Sequence, residues 1–420
     1  MMRIAFLCGA GTSVSVGMPT TDDITKQVLS GDCVVGHGTG NYGLQDVSSD
    51  HDPMISGPYL ARVRTLLTIA KQECDWYYTC GDFEGERDTQ RDEMFWKHET
   101  NYEDIYYVID QLHAHLGSNY DNPAIEALVR YVEQHADVIP ILNRRADQGQ
   151  NPRQELIGLC TETRDYVRGV VCGMLERKPN QIAGLSLFRQ AWEDPARPTV
   201  DVYSLNHDTS LEQFFRDVGI PFVDGFGRPE NGIRYWNASH FEDLTARLRL
   251  LKLHGSVDWT KFPSDGHHCQ SECVGVPTDG LDPGCAIDRA GQKYRPYFDL
   301  GVPRPVLIGT FNKLMDYAQG IFGDMHCIFE RNLRHTDRLV VCGYGFGDKG
   351  INAQFLDWIA SSPQRKAAVI DPNLEKGVKK TARGAVRKEW DDLVRAGKLL
   401  EKNAGIEGVG WNDLRGYLQG

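Results

Sequence analysis

Apolar positions along the chain follow two rhythms, and the change between them divides it. Ile4 to Cys8 is a continuous apolar run, bounded by Arg3 and Gly9, and it predicts a buried strand. Gly9-Ala10-Gly11-Thr12-Ser13 follows without a spacer, and Thr20 to Asp23 offer capping residues after Pro19, where a helix should start. Over 60–198 the spacing becomes helical. Leu60, Val63, Leu66, Leu67 and Ala70 share one face, as do Ile105, Val108, Ile109, Leu112 and Leu116. Ile125, Leu128, Val129 and Val132 repeat it, and Leu156, Leu159, Tyr166, Val167, Val170, Val171 and Met174 do so more loosely. This stretch reads as a helical insertion.

From Thr199 short apolar runs take over: DVYSLN (201–206), RLRLLKLHG (247–255), PVLIG (305–309), RLVVCGYGF (338–346) and AAVIDP (367–372). Continuous apolar runs interleaved with helices predict an α/β fold, a Rossmann-like parallel sheet with helices on both faces. One catalytic domain is expected over 1–372, with the insertion at 60–198, followed by a helical tail over 373–420. Gly31 to Pro58 and His267 to Gly301 read as long loops. The tail carries a basic amphipathic stretch, more simply a solvated surface helix than a binding element, and no internal repeat stands out.

Composition narrows the class. With 420 residues, 41% of them hydrophobic, the chain can bury one large core or two ordinary ones. A net charge of −12 argues against direct nucleic-acid binding, which needs a basic field. No apolar run is long enough to span a bilayer, in keeping with a mean hydropathy of −0.43. The start of the chain lacks the pattern of a signal peptide, so the eleven cysteines read as free thiols or metal ligands and the expected location is cytoplasmic.

Strand, glycine turn, hydroxyl pair and helix together make a phosphate cradle, since unpaired N–H groups and the helix dipole both favour anions. Two common nucleotide loops are excluded. A dehydrogenase fingerprint needs a third glycine where Val14 stands, and a P-loop needs Gly-Lys-Ser/Thr, whereas the first lysine is Lys26.

Four motifs in order, GAGTS, SLNHDTSLE (204–212), KLHGSVDW (252–259) and VVCGYGFGDKGIN (340–352), resemble the successive motifs of the sirtuin family. The spelling Asn-x-Asp-x-x-Leu-Glu with Lys-Leu-His-Gly-Ser and Gly-Tyr-x-Phe-x-Asp is most similar to the sirtuin-like NAD-consuming effectors of bacterial antiphage systems. The helical insertion has no counterpart in the resemblance. The resemblance implies NAD as substrate, with Gly9, Ala10, Gly11, Thr12, Ser13, Gly343, Tyr344 and Gly345 around the dinucleotide. It also implies that Asn206 positions water and sugar, that Asp208 accepts from the carboxamide, and that His254 is a base near the ribose hydroxyls. Asp371, ending the last predicted strand, is a further candidate for the adenine ribose.

Each assignment has a plainer alternative. Asn206 suits a strand-end turn, Asp208 a cap for the helix carrying Leu211, Phe214 and Phe215, and His254 a structural hydrogen bond. Asp348 could cap the helix holding Ile351 and Phe355, and Asp371 could make an Asp-Pro turn. The chemistry still fits: breaking a nicotinamide–ribose bond leaves an oxocarbenium-like carbon, which needs a held leaving group, a placed water and a dry polar pocket.

Departures from the family select the reaction. Deacylating sirtuins carry Gly-Ile-Pro-Asp-Phe-Arg after the glycine loop, whereas this chain has Gly17-Met18-Pro19-Thr20-Thr21-Asp22, and Leu205 stands in place of the family's glutamine. Simple hydrolysis of NAD+ to nicotinamide and ADP-ribose is therefore expected. A protein deacylase or ADP-ribosyltransferase is the rival enzyme, and a non-catalytic nucleotide-binding subunit of a defence complex the rival of another class. Cys269 and Cys273 are spaced Cys-x3-Cys, and His267 or His268 with Cys285 could complete four zinc ligands, but a second cysteine pair is missing and no metal is expected to be required. An NADase must be gated, so a homo-oligomer working with a HerA-type ATPase or another defence partner is expected.

Overall fold

Six short strands assemble into one parallel sheet: β1 (Arg3–Cys8), β2 (Thr199–Ser204), β3 (Leu248–Lys252), β4 (Arg338–Cys342), β5 (Lys366–Ile370) and β6 (Leu399–Lys402). This is seen in a computed structural model that describes residues 2–36, 42–44, 58–79, 99–117, 122–134, 151–179, 182–243, 245–262, 273–278, 304–309, 317 and 320–419. The spatial order is β6-β5-β4-β1-β2-β3. The chain builds outward from β1 to β3, crosses back to β4 on the other side of β1, and builds outward again. Such a doubly wound sheet has its ligand crevice where the direction reverses, between β1 and β4. Register makes that crevice sharp. Cys8 lies opposite both Ser204 and Cys342, Lys252 opposite Ser204, and Ile370 opposite Cys342, so these strands end at one level.

Both faces are covered, which is why the inner strands are mostly apolar rather than alternating, with the buried charges Asp201 and Arg249 paired to each other. Ile4, Phe6, Val200, Val202, Leu250 and Val340 face a layer holding Phe188, Trp411 and the insertion. Ala5, Leu7, Tyr203, Leu251, Val341 and Val369 face the opposite layer, built on Met325, Phe329, Phe355, Trp358 and Trp390.

The helix expected after Pro19 is α1 (Thr21–Ser30), and Thr20 and Asp23 close a reciprocal capping box at its start. The insertion is helical as its periodicity predicts, with α2 (Pro58–Thr79), α3 (Tyr102–Leu116), α4 (Pro123–Gln134) and α5 (Pro152–Leu175). Val63, Leu66, Ile105, Ile109, Val129, Val132, Val167 and Val170 are fully buried between them. After β2 comes α6 (Ser210–Asp217). Then α7 (Gly320–Arg334), α8 (Lys349–Ala360), α9 (Ala385–Arg395) and α10 (Trp411–Gln419) complete the cover. Among the described residues no helix is long and apolar enough to cross a membrane.

Four expectations change. The sheet does not end at AAVIDP, because Leu399–Lys402 in the tail pairs parallel with β5. Its charged neighbours hide a short strand, and charge is common on sheet edges. The amphipathic stretch before it is α9, which buries Val386 and Trp390 rather than lying free on the surface. PVLIG is not a sheet strand: Val306 makes one antiparallel bridge to Gly255, across the end of β3. Part of each predicted long loop is paired. Val34–Gly36 and Tyr42–Leu44 form a two-stranded ladder, and Cys273–Pro277 is the centre of a three-stranded antiparallel sheet with Ile233–Tyr235 and Thr260–Phe262.

Candidate active site

The first loop and the loop after β4 close on each other. Gly9 N–H donates to Cys342 O at 3.0 Å and Gly11 N–H to Gly343 O at 2.9 Å. Thr12 Oγ1 donates to Cys342 O at 2.8 Å. A Cβ on Gly9 would sit 2.6 Å from Gly343 O. The glycines are therefore required first for backbone to meet backbone, and the amides of Gly9 and Gly11 are already taken within the protein.

Beside this seam, at the strands' carboxyl ends, lies a cavity of about 370 Å³. Gly9, Ala10 and Ser13 line it from the first loop; Asn206 and Asp208 from the end of β2; His254 from the end of β3; Gly343, Tyr344 and Gly345 from the end of β4. Thus most of the predicted site residues meet in one place. Gly11, Thr12 and Asp371 do not line it. Thr12 is buried against Cys342, and Asp371 accepts the Asn373 N–H at 2.8 Å, the turn role weighed for it.

Asn206 is buried where β2 ends. Its Nδ2 donates to Gly9 O and to Ser13 Oγ, both at 2.8 Å. Gly9 O can only accept, so the amide nitrogen is the end that faces the loop. Asp208 accepts the Ser210 N–H at 2.9 Å in the turn leading into α6, whose N-cap position is Thr209. The cap expected of Asp208 is not made: it holds a turn one residue before the cap position, and it lines the cavity.

Below them lies a buried charge pair. Lys252 Nζ is 3.4 Å from Glu212 Oε1 and donates to Asp208 O. Burial pushes the Glu212 carboxyl up to about 7, against the opposing pull of Lys252. The pair braces the turn that presents Asn206 and Asp208.

His254 joins a second group that the motifs alone do not reveal. Its Nε2 is 2.9 Å from Tyr317 Oη and 3.2 Å from Asp348 Oδ2, and Tyr317 Oη donates to that same oxygen at 2.5 Å. Burial first, then Asp348, raise the Tyr317 hydroxyl well above its ordinary range, so it stays protonated. With its O–H donated to the carboxylate, the Tyr317 oxygen acts as acceptor toward the histidine, which assigns a proton to His254 Nε2. Asp348 Oδ1 meanwhile caps α8 through Gly350 N–H at 2.9 Å and Ile351 N–H at 3.1 Å. His326 stacks on Tyr317 with ring centroids 3.6 Å apart, and burial, then His254, lower its pKa to about 4. A histidine held by a carboxylate in a buried pocket is placed to take or give a proton.

Other lining residues come from segments assigned no site role. Asn101, Tyr102 and Glu103 enter from the start of α3, and Thr381 and Arg383 from the tail. Nothing local marks them; they reach the cavity only because the insertion and tail fold over it. Asn101-x-x-Asp104 reads as a helix start, and serves as one, with both halves of a capping box made. Among the described residues no group of three His, Cys, Asp or Glu could hold a metal. Of the zinc candidates only Cys273 is described; His267, His268, Cys269 and Cys285 lie outside the described residues.

No protein-family model matches the chain, and no curated protein matches it.

Proposed function

We propose that this chain is an NAD+ glycohydrolase that cleaves NAD+ to nicotinamide and ADP-ribose. The observation that carries the reading is the convergence of Asn206, Asp208 and His254, with both glycine loops, on one cavity at the switch point of a doubly wound sheet. In this reading nicotinamide leaves, water attacks the ribose carbon, and one proton is released. The Asn206 carbonyl holds the water, Asp208 accepts from the carboxamide, and His254, oriented by Asp348, takes the proton. The resemblance of the four motifs to sirtuin-like antiphage effectors suggests depletion of NAD upon infection. Gating then falls to self-association or to a partner such as a HerA-type ATPase.

Nicotinamide release from NAD+ by purified protein, alone and with products of neighbouring genes, tests the activity. ADP-ribose binding without any nicotinamide release would favour the non-catalytic subunit, and peptide-dependent O-acyl-ADP-ribose would favour a deacylase. Mass measurement in solution tests the assembly: a strictly monomeric, fully active enzyme indifferent to partners would sink that part.

A further inference from the structure

The cavity has a charge problem if a dinucleotide is to enter. Glu103, Asp208 and Asp348 line it, and a pyrophosphate brings two more negative charges. The first loop offers limited relief, because the amides of Gly9 and Gly11 are bonded within the protein. Among the described lining residues, Arg383 is the one arginine or lysine.

Its backbone is fixed to the loop that follows β4. Arg383 N–H donates to Phe346 O at 2.9 Å, and Arg383 O accepts from Asn352 Nδ2 at 3.0 Å. Gly384, at φ +73°, then turns the chain away into α9. The backbone of Arg383 is thus set beside Phe346 and Asn352, while its guanidinium makes a loose ion pair, 3.6 Å from Asp104 Oδ1 and about a quarter exposed. Asp104 does not depend on that pair. It also accepts from Tyr78 Oη at 3.1 Å and from Asn101 N–H at 3.2 Å, so releasing the arginine leaves both its oxygens hydrogen-bonded.

We infer that Arg383 is the anion anchor of the site, exchanging Asp104 for the pyrophosphate of the dinucleotide, an inference that rests on the NAD+ reading above. A planar guanidinium suits phosphate oxygens, which it binds in pairs. It also gives the tail a purpose beyond packing, since the residue that balances the substrate's charge comes from there.

The test is ADP-ribose binding by calorimetry to wild type, Arg383→Gln and Arg383→Lys, with thermal melting of each. Arg383→Gln should lose about tenfold to a hundredfold in affinity with its melting unchanged, and Arg383→Lys should recover part of it. In NAD+ turnover the same substitution should raise KM far more than it lowers kcat. If Arg383→Gln fails to fold, Arg383→Lys is read instead, and a measurable loss of affinity is then expected. Wild-type affinity in the variant, or a fall in kcat with KM unchanged, overturns the inference. A wild type that binds ADP-ribose through Arg383 but releases no nicotinamide overturns the catalytic reading alone, and one that binds no ADP-ribose overturns both.

Discussion

Gly11 and Gly343, far apart in sequence, pack backbone on backbone: a Cβ on Gly343 would lie 2.4 Å from the Gly11 carbonyl carbon and from Thr12 N. Gly343 also sits at φ +56°, where side chains are strained. Gly343→Ala should therefore cost roughly 2 kcal/mol or more of unfolding free energy. Gly345→Ala, where an added Cβ meets nothing within 4 Å, should cost far less. Urea denaturation of both variants checks this, and equal stabilities would show that the contact can relax.

That contact also marks where sequence reading stops. GAGTS and GYGFGD are legible as glycine loops, because strand, turn and cap follow one another locally. Their partner is not legible, since contact between them depends on β4 returning beside β1. Helical spacing identified the insertion because four helices each bury one stripe. The edge strand Leu399–Lys402 escaped notice, being short and set in charge. Asn206, Asp208 and His254 are legible from their motifs and strand ends, whereas Tyr317 and Arg383 stand in segments whose local pattern says nothing of the cavity. Convergence of distant segments is tertiary information.

Asp348 has two jobs on two oxygens, and they can be separated. Asp348→Asn keeps a carbonyl oxygen to cap α8 through Gly350 and Ile351, so stability should fall by less than about 1 kcal/mol. It removes the charge facing His254 at 3.2 Å. NAD+ hydrolysis should drop about tenfold to a hundredfold, and Tyr317→Phe, which keeps that carboxylate, should lose less. Nicotinamide release rates for the two variants decide it; a wild-type rate in Asp348→Asn would remove the aspartate from the mechanism.

Asn206→Ala should abolish hydrolysis, by roughly a hundredfold or more, since it deletes the group proposed to hold the water. It also deletes the bonds to Gly9 O and Ser13 Oγ, so a stability loss of about 1–2 kcal/mol should accompany it. Activity should vanish at temperatures where circular dichroism still reports a folded protein. Turnover at the wild-type rate would refute the assignment.

Glu212 supplies a pH signature. Its folded pKa, pushed up to about 7 by burial, lies above the ordinary glutamate value of 4.5. Between those values the unfolded chain releases this proton while the folded protein keeps it, so stability falls as pH rises from about 4.5 to 7. Glu212→Gln keeps an uncharged side chain of the same shape beside Lys252, and it should flatten that slope. The difference between the wild-type and variant curves should reach a few kcal/mol, on the order expected for one strongly shifted group. Denaturant unfolding at several pH values across the window measures it. His326 acts in the opposite sense and is common to both curves: lowered to about 4, it makes stability fall as pH drops below 6.5. Parallel curves for wild type and Glu212→Gln would mean that the folded protein keeps Glu212 ionised throughout, with Lys252 holding its charge in place.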